Sequence, residues 1–166
     1  MNYGAWQWAW GQGTLSTTPL SMARVVSTLA NGGVMPKTRY RLDEPCDDGI
    51  RLVSNESAEL LKDYMNEMAR TANGNAKNSI KLAYVGGKTG TPQRVLNGKR
   101  KPNDGWFIFY VDGCSVRTGN ENAKHPLAVS VRIERLADSG MGSGVAMRLS
   151  RDVIIPILQE LGYHTK

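Results

Sequence analysis

Val85-Gly86-Gly87-Lys88-Thr89-Gly90-Thr91, followed fourteen residues on by Gly105-Trp106-Phe107-Ile108-Phe109-Tyr110, is the stretch on which the fold of this chain turns. A lysine, two threonines and three glycines in one extended run make a compact anion-binding edge. Alternate side chains share a face, and glycine lets a ligand approach the backbone. The apolar run that follows suits a strand covered on both faces. Leu127, Val129, Val131 and Ile133 then alternate with Ala128, Ser130, Arg132 and Glu134, which predicts a third strand. Pro102-Asn103-Asp104-Gly105 and the polar stretch from Gly113 to Pro126 read as hairpin connections.

Helical patterns flank these strands. Thr18 and Pro19 form a hydroxyl cap and a first-turn proline, Met22, Val26, Leu29 and Ala30 fall on one face, and Asn31-Gly32-Gly33 stops the helix. Ser54 or Asn55 caps a second helix with Glu56 and Glu59 near its positive end. Its predicted buried stripe is Leu61, Met65, Met68 and Ala72, and Asn73-Gly74-Asn75 closes it. A closing helix from about Ser143 places Ala146, Leu149, Val153, Ile157 and Leu161 on one face and ends at Gly162, with a kink expected at Pro156. Near the N-terminus Trp6, Trp8 and Trp10 recur at period two, which predicts an extended segment with its indoles packed on one face.

Composition sets outer bounds. A chain of 166 residues, 40% hydrophobic, is long enough for one core and no more. Its 21 Lys and Arg against 15 Asp and Glu give +6, which suits an anionic partner. Arg94, Lys99, Arg100 and Lys101 read as a solvated loop tip, and the lack of aromatic residues interleaved with basic ones argues against nucleic acid. Cys46 and Cys114 lie far apart without metal-ligand spacing, so neither metal nor cofactor is expected. No signal peptide, lipidation motif or long apolar run occurs; for a complete chain that would mean a soluble cytoplasmic protein.

The Lys88-Thr89-Gly90 strand, placed after Gly11-Gln12-Gly13, Thr18-Pro19-Leu20 with Met22-Ala23, and Leu29-Ala30-Asn31-Gly32-Gly33, resembles the Lys-Thr-Gly region of the penicillin-binding transpeptidases and serine β-lactamases. The Gly-Trp-Phe strand, the last strand and the glycine-rich entry from Gly140 to Ala146 continue in the family's order, so the resemblance covers residues 11 to 163. It implies an α+β fold, an antiparallel sheet covered by helices, with three strands here of a five-stranded family sheet. It also implies serine acyl transfer on a peptidoglycan stem peptide, inhibited by β-lactam antibiotics. By position, Lys88 would provide positive potential for the substrate carboxylate and Thr89 and Thr91 hydroxyl hydrogen bonds to it. Gly90 would leave room for the ligand, and the Thr91 N–H would form half of an oxyanion hole.

The family's nucleophile motif, Ser-x-x-Lys, and its Ser-x-Asn motif are absent from the chain. Ser21-Met22-Ala23-Arg24 comes closest, but arginine cannot become the neutral base that lysine can. Tyr64-x-Asn66 matches a variant of the second motif, yet falls mid-helix with Tyr64 on the expected buried stripe, and reads as packing. Residues 1–166 therefore read as one partial domain, the C-terminal half of a transpeptidase domain, inactive alone. The missing N-terminal half would carry the serine and, further upstream, a membrane anchor; the parent would work at the periplasmic face of the inner membrane. In the family the last strand pairs with the first, so self-association through the exposed edge of Leu127–Ile133 is expected. Two alternatives remain at this point: a non-catalytic cell-wall peptide or β-lactam binding module, and a basic interaction protein with an incidental Lys-Thr-Gly.

Overall fold

The computed structural model describes residues 7, 9, 11–13, 15–41, 43, 44, 48–112, 126–134 and 142–160. Helix α1 is Pro19–Ala30, begun as expected by Thr18, whose hydroxyl accepts from the Ser21 N–H. A short pair, β1 (Val34–Met35) and β2 (Ile50–Arg51), leads to α2, Asn55–Thr71. Ser54, not Asn55, caps α2 through the Ser57 N–H. Ala72 ends the helix in the left-handed region at φ 48°, and a single 3-10 turn, Ala72–Gly74, carries the chain away.

Three antiparallel strands form the sheet, in the order β3 (Val85–Gly90), β6 (Gly105–Val111), β7 (Leu127–Ile133). The extended reading of residues 80–91 holds only from Val85. Ahead of it Ile80 is buried, with its N–H on the Ala69 carbonyl, and the chain turns at Ala83 and Tyr84. Between β3 and β6 stands a two-stranded ribbon, β4 (Arg94–Leu96) and β5 (Lys99–Lys101), where a loop tip was expected. Asn97 and Gly98, at φ 52° and 70°, close it. Positive φ at both central residues suits a type I′ turn, whose twist matches a hairpin.

The sheet is covered on both faces. On one, Phe107, Phe109, Val111 and Val85 pack with Ala69 of α2 and with Ala146, Met147 and Ile155 of the C-terminal helices. On the other, Ile108, Tyr110 and Ala128 meet Val26 of α1 and Met65 of α2. Two glycines of β3 let aromatic rings lie across the strand. A methyl group on Gly86 would come within 2.4 Å of the Tyr110 hydroxyl, and one on Gly87 within 2.5 Å of Phe107 Cζ. Both rings thus cover backbone where a side chain would otherwise stand.

Two helix faces differ from the sequence reading. In α2 the buried positions are Ala58, Met65 and Ala69, with Met68 half-buried, whereas Leu61 is 41% and Tyr64 63% exposed. The small alanines permit close packing against β3, so side-chain size rather than hydrophobicity selects the inner stripe. The closing helix is α3 (Gly142–Leu149), a π turn (Ser150–Ile154) and α4 (Ile155–Glu160). Ala146, Met147, Ser150 and Ile155 are buried, while Leu149, Val153 and Ile157 are 39%, 44% and 49% exposed. Among the described residues of the expected stripe, only Ala146 is buried. The π turn stands just ahead of Pro156, the residue at which a kink is expected from sequence; in it the Ile155 N–H reaches back five residues to the Ser150 carbonyl.

Gln7 and Ala9 are helical rather than extended. Trp6, Trp8, Trp10, Cys46, Cys114, Gly140, Leu161, Gly162 and all but Pro126 of the Gly113–Pro126 connection lie outside the described residues. Among the described residues no helix is long and apolar enough to cross a membrane.

Candidate active site

β3 is an edge strand whose backbone groups alternate in direction. Asp112 N–H bonds to the Tyr84 carbonyl, and the register runs from there through Gly86↔Tyr110, Lys88↔Ile108 and Gly90↔Trp106. In an antiparallel ladder hydrogen-bonded pairs alternate with non-bonded ones. Gly86, Lys88 and Gly90 therefore bond inward to β6, and the polar groups of Val85, Gly87 and Thr89 point outward. Two outward carbonyls are already occupied: Asn66 Nδ2 donates to Val85 O at 2.9 Å, and Lys88 Nζ donates to Thr89 O at 2.8 Å.

Asn66 also donates to the Ala83 carbonyl at 2.9 Å, pinning α2 to the start of β3. The packing role read for Tyr64-x-Asn66 thus falls to Asn66 alone, since Tyr64 stands in solvent. No strand pairs with the outer edge of β3 among the described residues.

All four residues picked from the sequence, Lys88, Thr89, Gly90 and Thr91, line one cavity of about 530 Å³. They reach it from two sides. Lys88 lies on the α1 side of the sheet, in a row with Ile108 and Ser130, whereas Thr89 points to the opposite side. Thr91 is tied to the first turn of α3, its Oγ1 accepting from the Ser143 N–H at 3.3 Å. With an acceptor lone pair engaged there, the hydroxyl proton is directed elsewhere. Gly11, Gln12 and Gly13 line the same cavity, and Gln12 Oε1 accepts from the Gln93 N–H at 3.3 Å, joining this segment to the turn after β3.

The remaining wall was not legible as site. Trp106, part of the apolar run that suits a strand covered on both faces, is only half-buried and lines the cavity, while Phe107 and Phe109 are fully buried. The strand alternation places it on the face opposite to theirs. Asp104, read as part of a hairpin loop, is buried and pairs with Arg132 of β7 at 2.8 Å. Arg132 Nη1 also meets Glu134 at 2.9 Å. Its hydrogen bond to Asp104, weighed against desolvation, keeps the Arg132 guanidinium above the usual arginine value.

Electrostatically the cavity holds two cations of different standing. Arg132 is matched by two carboxylates. Among the described residues, Lys88 has no carboxylate within ion-pair distance, and its ammonium is held only by a carbonyl. An exposed, uncompensated lysine beside outward-pointing backbone groups can take a ligand that runs as an extra strand and ends in a carboxylate. No cluster of His, Cys, Asp and Glu suited to a metal ion occurs among the described residues.

Residues 4–115 match the family model of the penicillin binding protein transpeptidase domain, more than half of the chain. The chain belongs to the penicillin-binding transpeptidase family. It is 28% identical over 162 residues to the peptidoglycan D,D-transpeptidase PbpA of Mycobacterium tuberculosis, covering 90% of this chain and 31% of that protein. The crystal structure of the same mycobacterial protein superimposes with a TM-score of 0.64 at 26% identity, over 90% of this chain and 36% of that one. A ceftriaxone acyl-enzyme complex of penicillin-binding protein A from M. tuberculosis aligns at 0.62 with 25% identity, covering 90% and 34% of the two chains. The transpeptidase domain of Burkholderia pseudomallei penicillin-binding protein 3 shares the fold at 0.65 and 18% identity, over 92% of this chain and 46% of its own. The chain thus spans about a third of the length of the mycobacterial relative. Its three-stranded sheet with helices on both faces is part of the penicillin-binding transpeptidase fold.

Proposed function

We propose that residues 1–166 form the carboxylate-binding part of a peptidoglycan D,D-transpeptidase domain and require the domain's other part for catalysis. The observation that carries this reading is Lys88, exposed and without a carboxylate partner among the described residues, at the centre of an open sheet edge lining a cavity. A stem peptide would lie along the outward groups of Gly87 and Thr89 as an added strand, its terminal carboxylate drawn to Lys88 and to the Thr89 and Thr91 hydroxyls. The Thr91 N–H would supply one oxyanion donor, with Gly90 beside it leaving room for the reacting carbonyl.

The chemistry itself needs a serine that this chain does not provide in a Ser-x-x-Lys setting. That serine, from the domain's other part, would attack the penultimate D-alanine carbonyl. The peptide bond breaks, D-alanine leaves with the proton, and an amine from a neighbouring strand resolves the ester to form the crosslink. β-Lactams would stop at the ester stage. The parent protein would act at the outer face of the inner membrane, held by an anchor elsewhere in its sequence.

Labelling with a fluorescent penicillin tests this, read by denaturing gel and intact mass. The chain alone is expected to stay unlabelled. The chain joined to upstream sequence carrying Ser-x-x-Lys is expected to acquire one adduct. In that longer protein Lys88→Ala slows acylation by about a hundredfold or more, the scale of losing one preorganised electrostatic contact, and leaves the melting temperature in place. Stoichiometric acylation of the short chain would overturn the division of labour.

A further inference from the structure

Arg132 lines the cavity, but the transpeptidase reading gives it no task. Its guanidinium carbon lies 5.5 Å from the centroid of the Trp106 ring. Nε and Nη2 both reach Asp104 Oδ2, at 3.3 and 2.8 Å, and Nη1 reaches Glu134. All three nitrogens are engaged, so the group is not poised to take a ligand carboxylate. The Asp104 side chain is only 5% exposed, which makes it a fixed anchor rather than a surface partner. Gly90, Trp106 and Arg132 stand in one row across three strands, so whatever fixes the indole fixes the cavity wall beside Gly90.

We propose that Arg132 is a positioning residue: anchored by the buried Asp104, it clamps the Trp106 indole as a rigid wall of the cavity, leaving anion recognition to Lys88. A planar guanidinium is suited to this because it can stack on a ring while its edge forks onto a carboxylate. Lysine can keep the ion pair but not the stack. The clamp depends on the proposed function only for the identity of the ligand that meets the wall.

The test is ¹⁵N relaxation of the Trp106 indole N–H in the full 166-residue chain, assigned with Trp106→Phe, followed by titration with N-acetyl-D-alanyl-D-alanine. In the wild type the indole is expected to be as ordered as the backbone, with an order parameter of about 0.85, and to fall below about 0.6 in Arg132→Gln. Arg132→Lys gives an intermediate value, and Asp104→Asn loosens the indole although Arg132 is still present. A merely structural role would lower the melting temperature without this ranking. An indole equally ordered in folded Arg132→Gln and Asp104→Asn, or already mobile in the wild type, overturns the clamp. Should Arg132→Gln fail to fold, Arg132→Lys and Asp104→Asn decide the matter by the same criterion. An indole ordered by Arg132 that ignores the peptide supports the clamp and counts against the ligand reading.

Discussion

The two edges of the sheet are built from opposite materials. β3 carries three glycines and a lysine, and helix α2 secures its start through Asn66. β7 has no glycine, is half-exposed along most of its length, and alternates branched apolar residues with Ala128, Ser130 and Arg132. Neither outer edge is paired among the described residues. A lysine and bare backbone discourage indiscriminate sheet growth while admitting a matched ligand, whereas a plain β-branched edge invites another strand. The comparison teaches that an open edge is not by itself a binding site. The difference lies in what stands at the edge's centre and in whether something fixes its length.

The sharpest break of the comparison uses proline on β7. Since β6 bonds to β3 through residues 106, 108 and 110, it bonds to β7 through 107, 109 and 111, so Val129 N–H faces the ladder and Ser130 N–H faces outward. Val129→Pro is expected to abolish cooperative unfolding followed by circular dichroism. Ser130→Pro is expected to leave the fold in place and lower self-association in sedimentation velocity; unchanged self-association would mean that this edge is not the contact.

On β3 the next largest effect comes from the glycines. Gly87→Val places a side chain where Phe107 lies, and should cost about 3 kcal/mol in urea unfolding, the upper range for overpacking. A loss below 1 kcal/mol would show that the ring cover yields easily. Asn66→Ala removes the bonds to Ala83 and Val85 and should cost about 1–2 kcal/mol. It should also raise amide exchange at the start of β3 but not along β7.

The smallest effect concerns the far end of the sheet, where Tyr110 Oη donates to the Lys62 carbonyl at 3.0 Å. Burial, and secondarily Asp112, raises the phenol above its ordinary value of 10.0. With the folded pKa the higher one, the contribution is intact below pH 10 and is lost as pH rises from there toward the folded value. Tyr110→Phe should cost about 1 kcal/mol at neutral pH and flatten that alkaline decline in melting temperature.

Much of this was legible in the sequence because the signals are local. Thr18-Pro19 and Ser54 announce helix starts through the bonds their side chains make within one turn. Period-two alternation sets β7, and glycines around Lys88 mark a strand that something must approach closely. Most of the misses depend on partners distant in sequence. Asp104 is buried because Arg132 sits across the sheet, 28 residues later. Trp106 becomes cavity wall instead of core because, although it shares a face with Ile108 and Tyr110, it lies outside the cluster those two form with Val26 of α1 and Met65 of α2. Leu61, Tyr64, Leu149, Val153 and Ile157 were assigned inward on hydrophobicity, while small residues at 58, 69 and 146 set the true contact. The β4–β5 ribbon, by contrast, carries a local signal: Asn97-Gly98 is a strong two-residue hairpin turn, set between cationic residues that resemble a solvated loop tip.

That ribbon also offers a handle. It leaves the sheet after β3 and returns before β6, with its own pairing and turn. Its length is therefore uncoupled from the register that holds Lys88 opposite Ile108. Residues added four at a time, two per strand beside Asn97-Gly98, would keep its alternation and leave the register of β3 and β6 as it is. The tip is thus the natural place to insert a fluorophore or affinity tag that reports on the site without touching it.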